Sequence, residues 1–550
     1  MTFFLTSLPY RMRHAPLLIA PLLLAACMHP PMAMDHGVTD GGHNMMHDTE
    51  DETFLPAKDM NVGELPEAKP SEVVTIEDGG TIHLNPTIVR KTLNGKAFAM
   101  YGYNSQIPGP TLKVKQGSTF TVKVTNGIDL PTSIHWHGIR LDNANDGAVG
   151  LTQKEIAPGR TFTYTVTVPD EGIFWYHPHV REDIEQDMGL YGLIHVVAND
   201  ASAYPPVDRE QYVILDDILL EDGMPVPYGT TKANYALMGR FGNTLLVNGN
   251  LAPATIDVDT NEVVRYFILN AANTRTFNLN FGDAKAKLVG GDAGRYEQSQ
   301  ELKKNHVISP SERAIVDVLY WDARRANVVL HINPTKIDSP DSVGSHMSML
   351  LGVNVANAAY ASEAAESFLQ AQTHDDVIAD IDAFRPYFSK APDHTLMLDM
   401  QMMGGAMMRN HGNMMGETSP DGIEWEDNGM SAMPMANMIQ WQLIDQTSGA
   451  MNDKLVYNAK AGDKVKIRIV NKKDVPHPMQ HPIHFHGQRF LVLSVDGKPN
   501  ENLVWKDTVL VEKGQTVDIL LDATNPGDWM FHCHIAEHLT SGMMGMFSVQ

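Results

Sequence analysis

Two cysteines in 550 residues, Cys27 and Cys533, leave no basis for a disulfide framework. Basic residues are also scarce. The chain has 42 Lys and Arg against 66 Asp and Glu, a net charge of −24. That balance excludes a nucleic-acid backbone as partner, which requires a basic footprint, and suits cationic ligands, metal ions included. The apolar run at residues 16–26 is too short to span a bilayer as a permanent helix. What the chain has in excess is methionine and histidine, 32 and 24 residues, which are soft and borderline metal ligands. Its length suggests three to four domains, with a core large enough to need neither metals nor disulfides for size alone.

The N-terminus reads as an export signal. Basic residues 11–14 precede the short apolar run, which ends in Leu24-Ala25-Ala26-Cys27. This resembles a bacterial lipoprotein signal, with cleavage before Cys27 and lipid attachment to it. Met12 splits the arginine pair, which favours export of the unfolded chain. Met28 stands where an Asp would resemble an inner-membrane retention signal, which favours the outer membrane. The expected location is therefore the periplasmic side of a bacterial membrane, with a soluble periplasmic protein as the alternative. Residues 28–71, poor in apolar residues and rich in Met, His, Pro, Gly and Asp, read as a flexible tether able to contact copper.

An internal repeat sets the domain plan. Residues 117–126 (GSTFTVKVTN), 261–270 (NEVVRYFILN) and 462–471 (GDKVKIRIVN) share one length, recurring β-branched residues and a closing Asn. Each predicts a strand ending in a turn. A second element also recurs. Gly159 and Gly514 each lie 18 residues before a His-x-His pair, and Gly172 and Gly527 lie five before it. The middle copy, around Ser311 and His331, has no such pair. Three β domains are expected, at 72–198, 205–385 and 392–550, with the chemistry in the first and third and the second acting as a spacer.

Four His-x-His pairs carry that chemistry: His135/His137, His177/His179, His484/His486 and His532/His534. On a strand, residues i and i+2 face one side, so each pair offers two imidazoles together. Eight imidazoles with no carboxylate cage suit copper better than magnesium or calcium. His481 precedes the third pair, while His538 and Met543 follow Cys533 by five and ten residues. One thiolate, two imidazoles and a methionine form the ligand set of a blue-copper electron-transfer site.

The motifs HWHG (135–138), WYHPH (175–179), HPIHFHG (481–487) and HCHIAEHLTSGM (532–543) resemble those of the multicopper oxidases, over roughly residues 72–550. The resemblance implies an all-β fold of three consecutive cupredoxin-like Greek-key barrels with a Met-rich insertion, residues 397–438, in the third. It implies four copper ions. Cys533, His481, His538 and axial Met543 would hold the type 1 copper, and His135 and His484 the type 2 copper. His137, His177 and His534 would hold one ion of the type 3 pair, and His179, His486 and His532 the other. The implied activity is one-electron oxidation of a substrate coupled to reduction of O2 to water. Asp146 matches the family's acid beside the type 2 copper, where it would supply protons or orient bound water. Many bacterial members carry a Glu directly after the second type 1 histidine. Here that position is Leu539, a departure that leaves the second proton path unassigned.

Twelve methionines between Met397 and Met438 point to Cu(I) as substrate, because thioethers prefer it to Cu(II). His477 and Met479 precede His481 at offsets where cuprous oxidases of copper resistance carry an Asp and a Met that bind substrate copper. Met400 resembles a further ligand of that site. The first expectation is a cuprous oxidase in copper tolerance. The alternatives are a laccase acting on phenols or aromatic amines, and a lipoprotein that protects by sequestering copper.

Overall fold

The computed structural model describes residues 53–230, 232–334, 347–359, 361–402, 421–427 and 438–550. Cys27 and most of the Met-rich stretch, including residues 403–420 and 428–437, lie outside them. No helix among the described residues is long and apolar enough to cross a membrane.

All three repeated segments are strands, Thr119–Thr125, Glu262–Asn270 and Asp463–Asn471. Their closing asparagines explain why the repeat keeps that residue. Asn126 donates to the carbonyls of Leu130 and Ile156, Asn270 to those of Arg275 and Ile308, and Asn471 to those of Met479 and Val511. In each, a buried amide ties the chain leaving the strand to a distant loop, satisfying backbone carbonyls that water cannot reach.

Around these strands lie pairs of sheets facing one another. In the first region a five-stranded sheet runs Val73–Ile76, Thr111–Lys115, Gly192–Val197, Gly172–His177, His135–His137, opposite a three-stranded one. In the second, a seven-stranded sheet centred on Glu262–Asn270 and Arg313–Tyr320 faces a five-stranded one. In the third, a six-stranded sheet containing Asp463–Asn471 faces the strands Val456–Ala459, Met544–Val549, Gly527–Cys533, His481–Phe485 and Thr508–Val511. The inner faces are apolar and buried. A further apolar layer joins the first two regions, with Trp175, Tyr191 and Leu193 packed on Ile214, Phe267 and Ile315.

One expectation needs correcting. Residues 53–71, placed by composition in the tether, run against the body. Thr53–Phe54 pairs with Tyr228–Gly229, Ala57 is buried with its N–H on Asp129, and Lys69 pairs with Ser105. Backbone hydrogen bonds and a few scattered apolar contacts, Phe54, Leu55 and Ala68 against the core, hold this segment, and so sparse an apolar set gives hydropathy little to find.

Candidate metal centre

Strand pairing assembles the histidines. Strand His135–His137 pairs antiparallel with Gly172–His177, placing His135 opposite His177. Strand His481–Phe485 pairs the same way with Gly527–Cys533, placing His484 opposite His532 and Ile483 opposite Cys533. Directly opposed residues project to one face, so the two strand pairs present their imidazoles toward each other. His137 stacks on His484 with ring centroids 3.6 Å apart, and His135 on His486 at 3.8 Å. Both contacts join the first region to the third.

The hydrogen bonds behind the rings determine which nitrogen faces inward. His135 donates through Nδ1 to the Asp146 carbonyl at 2.9 Å, and His484 to the Asp507 carbonyl at 2.9 Å. His177 donates to the Pro178 carbonyl at 2.8 Å, and His532 to the Cys533 carbonyl at 2.9 Å. His486 donates to Asp146 Oδ2 at 2.9 Å. That leaves Nε2 of His135, His177 and His484 buried and without a partner. His137 is reversed. Its Nε2 lies 2.9 Å from Asp507 Oδ1, and its Nδ1 is the unpartnered atom. His179 has Nδ1 3.2 Å from Glu182 and an unpartnered Nε2, and His534 has both nitrogens unpartnered.

These inward nitrogens fit a metal centre. Buried polar atoms without partners are costly, and here they cluster. Nε2 of His486 and of His532 lie 3.0 Å apart. With Nδ1 committed as donor in both rings, two lone pairs face each other, a repulsive contact that a cation between them converts to attraction. His179, His486 and His532, expected to share one ion, have ligand nitrogens within 4.8 Å of one another. His137, His177 and His534 have ring centroids 5.0–5.7 Å apart, and His135 and His484 5.8 Å. Burial holds His137, His177, His486, His532 and His534 neutral, well below the ordinary imidazole pKa, and takes His179 down to about 3. Neutral imidazole is the form that binds a metal. The Trp175 ring, fully buried, stacks on His177 at 4.1 Å and helps exclude water from the cage.

A second cluster adjoins the first through one residue. Cys533 Sγ lies 3.6 Å from Nδ1 of both His481 and His538, and those nitrogens are 3.3 Å apart. The point equidistant from the three atoms is about 2 Å from each, close to the bond lengths of nitrogen and sulfur ligands. Met543 is buried beside them, and the ligand loop ties itself together. Cys533 N–H donates to the Met543 carbonyl, and Met543 N–H to the His538 carbonyl. Trp441 covers the two imidazoles at 4.2 and 4.9 Å. Burial pushes the Cys533 thiol pKa up and takes His481 down to about 3. A buried thiolate at neutral pH therefore requires a bound cation. Since His532 and His534 flank Cys533, the two clusters are joined by single peptide units.

Asp146 bridges the halves of the cage. It follows the short helix Asn143–Asn145, and Gly147 after it has φ +86°. A Cβ there would lie 1.9 Å from the Ile134 carbonyl oxygen, so only glycine allows the turn that tucks Asp146 inward. Its Oδ2 accepts from His486 and its Oδ1 is 3.3 Å from His135 Nδ1. Burial alone would raise its pKa, but the facing imidazoles outweigh that and hold the carboxyl well below the usual range. Asp146→Asn keeps the volume but turns an amide N–H2 toward an imidazole N–H. Oxygen uptake is expected to fall about 10–100-fold while the Cys533 cluster keeps its colour. Stopped spectra alongside oxygen uptake read both, and an unchanged rate removes the role.

The candidate substrate residues sit differently. His477 is buried, with Nε2 unpartnered, and burial followed by the Lys513 charge lowers its pKa to about 4. Met479 and Met400 are 0% and 4% exposed and belong to the apolar core that includes Cys533 and Met543. Met400 pairs across the sheet with Trp441. Residues 421–427, within the Met-rich stretch, reach this region, where Glu424 and Gln480 exchange two hydrogen bonds.

Asp507 and Glu182 were not identified from sequence. Asp507 has no metal-ligand spacing, whereas Glu182 lies three residues after His179. The one available signal for Asp507 was a charged pair, Lys506-Asp507, set between the apolar runs 503–505 and 509–511.

Two multicopper oxidase family models match, one over residues 87–201 and the other over 422–550. A multicopper oxidase of Staphylococcus aureus is 27% identical over 458 residues, 82% of this chain and 83% of its own. Laccase-2 of Cryptococcus neoformans is 24% identical over 506 residues, 83% of this chain and 82% of its own. The solved multicopper oxidase of Campylobacter jejuni, described as a metallo-oxidase, aligns with TM-score 0.64 at 24% identity, covering 88% of this chain and 98% of that one. That likeness gives the fold as cupredoxin. With its histidine cage, its Cys533 cluster and these matches, the chain carries multicopper oxidase domains at both ends of its body and is a copper-dependent oxidoreductase with O2 as acceptor.

Proposed function

We propose that the protein is a cuprous oxidase, converting Cu(I) to Cu(II) with O2 in copper tolerance. Four coppers supply the redox chemistry when bound, taking single electrons from substrate and delivering four to O2. Cys533, His481, His538 and Met543 hold the type 1 ion, and His135 and His484 the type 2 ion. His137, His177 and His534 hold one type 3 ion, and His179, His486 and His532 the other. The chain's own work is to keep these groups dry and oriented. Asp146 fixes His486 and approaches His135, and its ionised carboxylate orients water or passes protons. The peptide units around Cys533 give electrons a covalent route of a few bonds.

The observation favouring Cu(I) is His477. It is a buried neutral imidazole with an unpartnered nitrogen, four residues before His481 and three before Gln480, which bonds Glu424 of the Met-rich stretch. A phenol has no need of such a ligand, whereas Cu(I) binds imidazole and thioether. Both a metallo-oxidase and laccases occur among the relatives, so likeness to them leaves the substrate open.

The test is steady-state oxygen uptake by copper-loaded protein with buffered Cu(I) and with a phenol, against an enzyme-free blank. Fast saturable uptake with Cu(I) and weak uptake with the phenol is expected. His477→Ala should raise KM for Cu(I) roughly tenfold, the loss of about 1.4 kcal/mol, and leave the phenol KM unchanged. The reverse preference makes the protein a laccase, and no uptake with either substrate makes it a copper-binding protein.

A further inference from the structure

A buried charge network lies behind the histidine cage, and the middle domain supplies its central cation. Arg313 opens the strand Arg313–Tyr320 and has a fully buried side chain. Its guanidinium grips Asp507 with two nitrogens, Nη1 donating to Oδ1 at 2.8 Å and Nη2 to Oδ2. Its Nε donates to the Ile173 carbonyl at 2.7 Å, and Nη1 also reaches the Ser311 carbonyl at 2.9 Å. The fork is therefore held from both sides. Asp507 turns Oδ1 to His137 Nε2 at 2.9 Å and its carbonyl to His484 Nδ1 at 2.9 Å. One guanidinium from the second domain thus reaches an imidazole of the first and one of the third through a single aspartate.

The surroundings are built for this pair. Gly138, the last residue of the HWHG motif, has φ +83°, and a Cβ there would lie 2.3 Å from Asp507 Oδ2 and 2.9 Å from Arg313 Nη2. The motif's glycine is the space the pair occupies. Asp292 accepts from the Arg313 backbone N–H at 2.8 Å, and Lys506 lies 3.1 Å from both Asp292 and Glu312. The two cations thus serve three carboxylates. A buried ion pair contributes little net stability over an apolar filler of equal size, so stability alone does not account for it. Its planar fork does fit a positioning task, because bidentate pairing fixes the carboxylate plane.

We propose that Arg313 is a positioning residue for the oxygen-reducing copper cluster, acting through Asp507 to hold His137 with Nδ1 toward the metal and His484 with Nε2 toward it. This rests on the copper assignment of His137 and His484 given above. The middle domain, read from sequence as a spacer, then has a direct part in the site. With Oδ1 fixed as acceptor, the His137 proton stays on Nε2 and its Nδ1 lone pair stays free. If the carboxylate rotated, His137 would lose that constraint and could present the wrong nitrogen.

The experiment uses the full copper-loaded chain and two variants. Arg313→Lys keeps the charge but not the fork. Arg313→Met combined with Asp507→Asn removes both charges, so no unpaired ion is buried if the single change proves unstable. Measured quantities are the thiolate-to-copper band of the type 1 site, the type 2 paramagnetic resonance signal, the near-ultraviolet type 3 band, copper content and oxygen uptake. The expected result in both variants is an unchanged type 1 band and unchanged substrate KM. The type 2 and type 3 signals should be altered or lost, with kcat or cluster copper affinity lower by about 10–100-fold. Parent-like type 2 and type 3 signals with parent rates overturn the proposal. So does equal loss of all three copper signals, which would make the network a clamp on the whole fold. Absence of type 2 and type 3 signals in the unaltered protein is a separate failure, that of the copper assignment itself.

Discussion

The Cys533→Ser protein, loaded with copper, is expected to be colourless and to take up oxygen more than roughly 100-fold more slowly than its parent. The loss should exceed that from removing a group behind a ligand, because the ligand itself goes. Serine is nearly isosteric, and the Cys533 N–H bond to the Met543 carbonyl does not involve the side chain, so the loop keeps its shape. The chemistry does not survive. A hydroxyl is a hard, weakly acidic ligand, whereas thiolate is the soft donor that this copper site requires. His481 and His538 remain 3.3 Å apart and can still hold a metal, but without the sulfur that gives the site its colour and its electron route. The eight imidazoles of the cage are untouched, so the type 2 resonance signal should persist. Uptake at the parent rate would mean that electrons do not enter through Cys533, and the oxidase reading of this cluster would be lost. A variant that stops turning over yet still protects cells from copper would make sequestration the source of protection.

The chemistry was more legible in this sequence than the architecture around it. His-x-His spacing on strands fixes which side chains share a face, and it needs only the two-residue period of a strand. The closing asparagines of the repeat were visible as letters, but their task of bonding distant carbonyls became clear only with the loops in place. Asp146 was found because its position, nine residues after His137, matches the acid of the multicopper oxidases. Asp507 was not, because it lies 370 residues from His137 and carries no local pattern. Arg313 was harder still, since the middle domain has lost its histidine pairs and so looked inert. Residues 53–71 failed for a different reason. Hydropathy reports periodic apolar burial, and this segment combines main-chain pairing with only a few scattered apolar contacts.

Removing copper should make the protein acid-sensitive in a way the loaded form is not. The native state holds His137, His177, His486, His532, His534 and His538 neutral by burial, with pKa values well below the unfolded value near 6.5. His179 and His481 are lowered to about 3. Between those values the unfolded chain binds protons that the native chain refuses. Stability therefore rises with pH in that window and is lost as pH falls below about 6.5. Each such histidine contributes up to about 1.4 kcal/mol per pH unit. Three of them over two pH units offset about 8 kcal/mol, comparable with the whole stability of a domain, roughly 5–15 kcal/mol. Bound copper changes the competition, since a proton must displace the metal to reach the same nitrogen, and binding to the native state alone stabilises it by mass action. Melting temperatures of copper-free and copper-loaded protein at pH 7.5, 6.5, 5.5 and 5 would separate the cases. The copper-free curve should be flat above pH 6.5 and fall steadily below it, while the loaded curve falls later and less. Parallel curves would mean that the buried nitrogens are not where copper binds, because a metal elsewhere would leave those histidines equally open to protons in both forms.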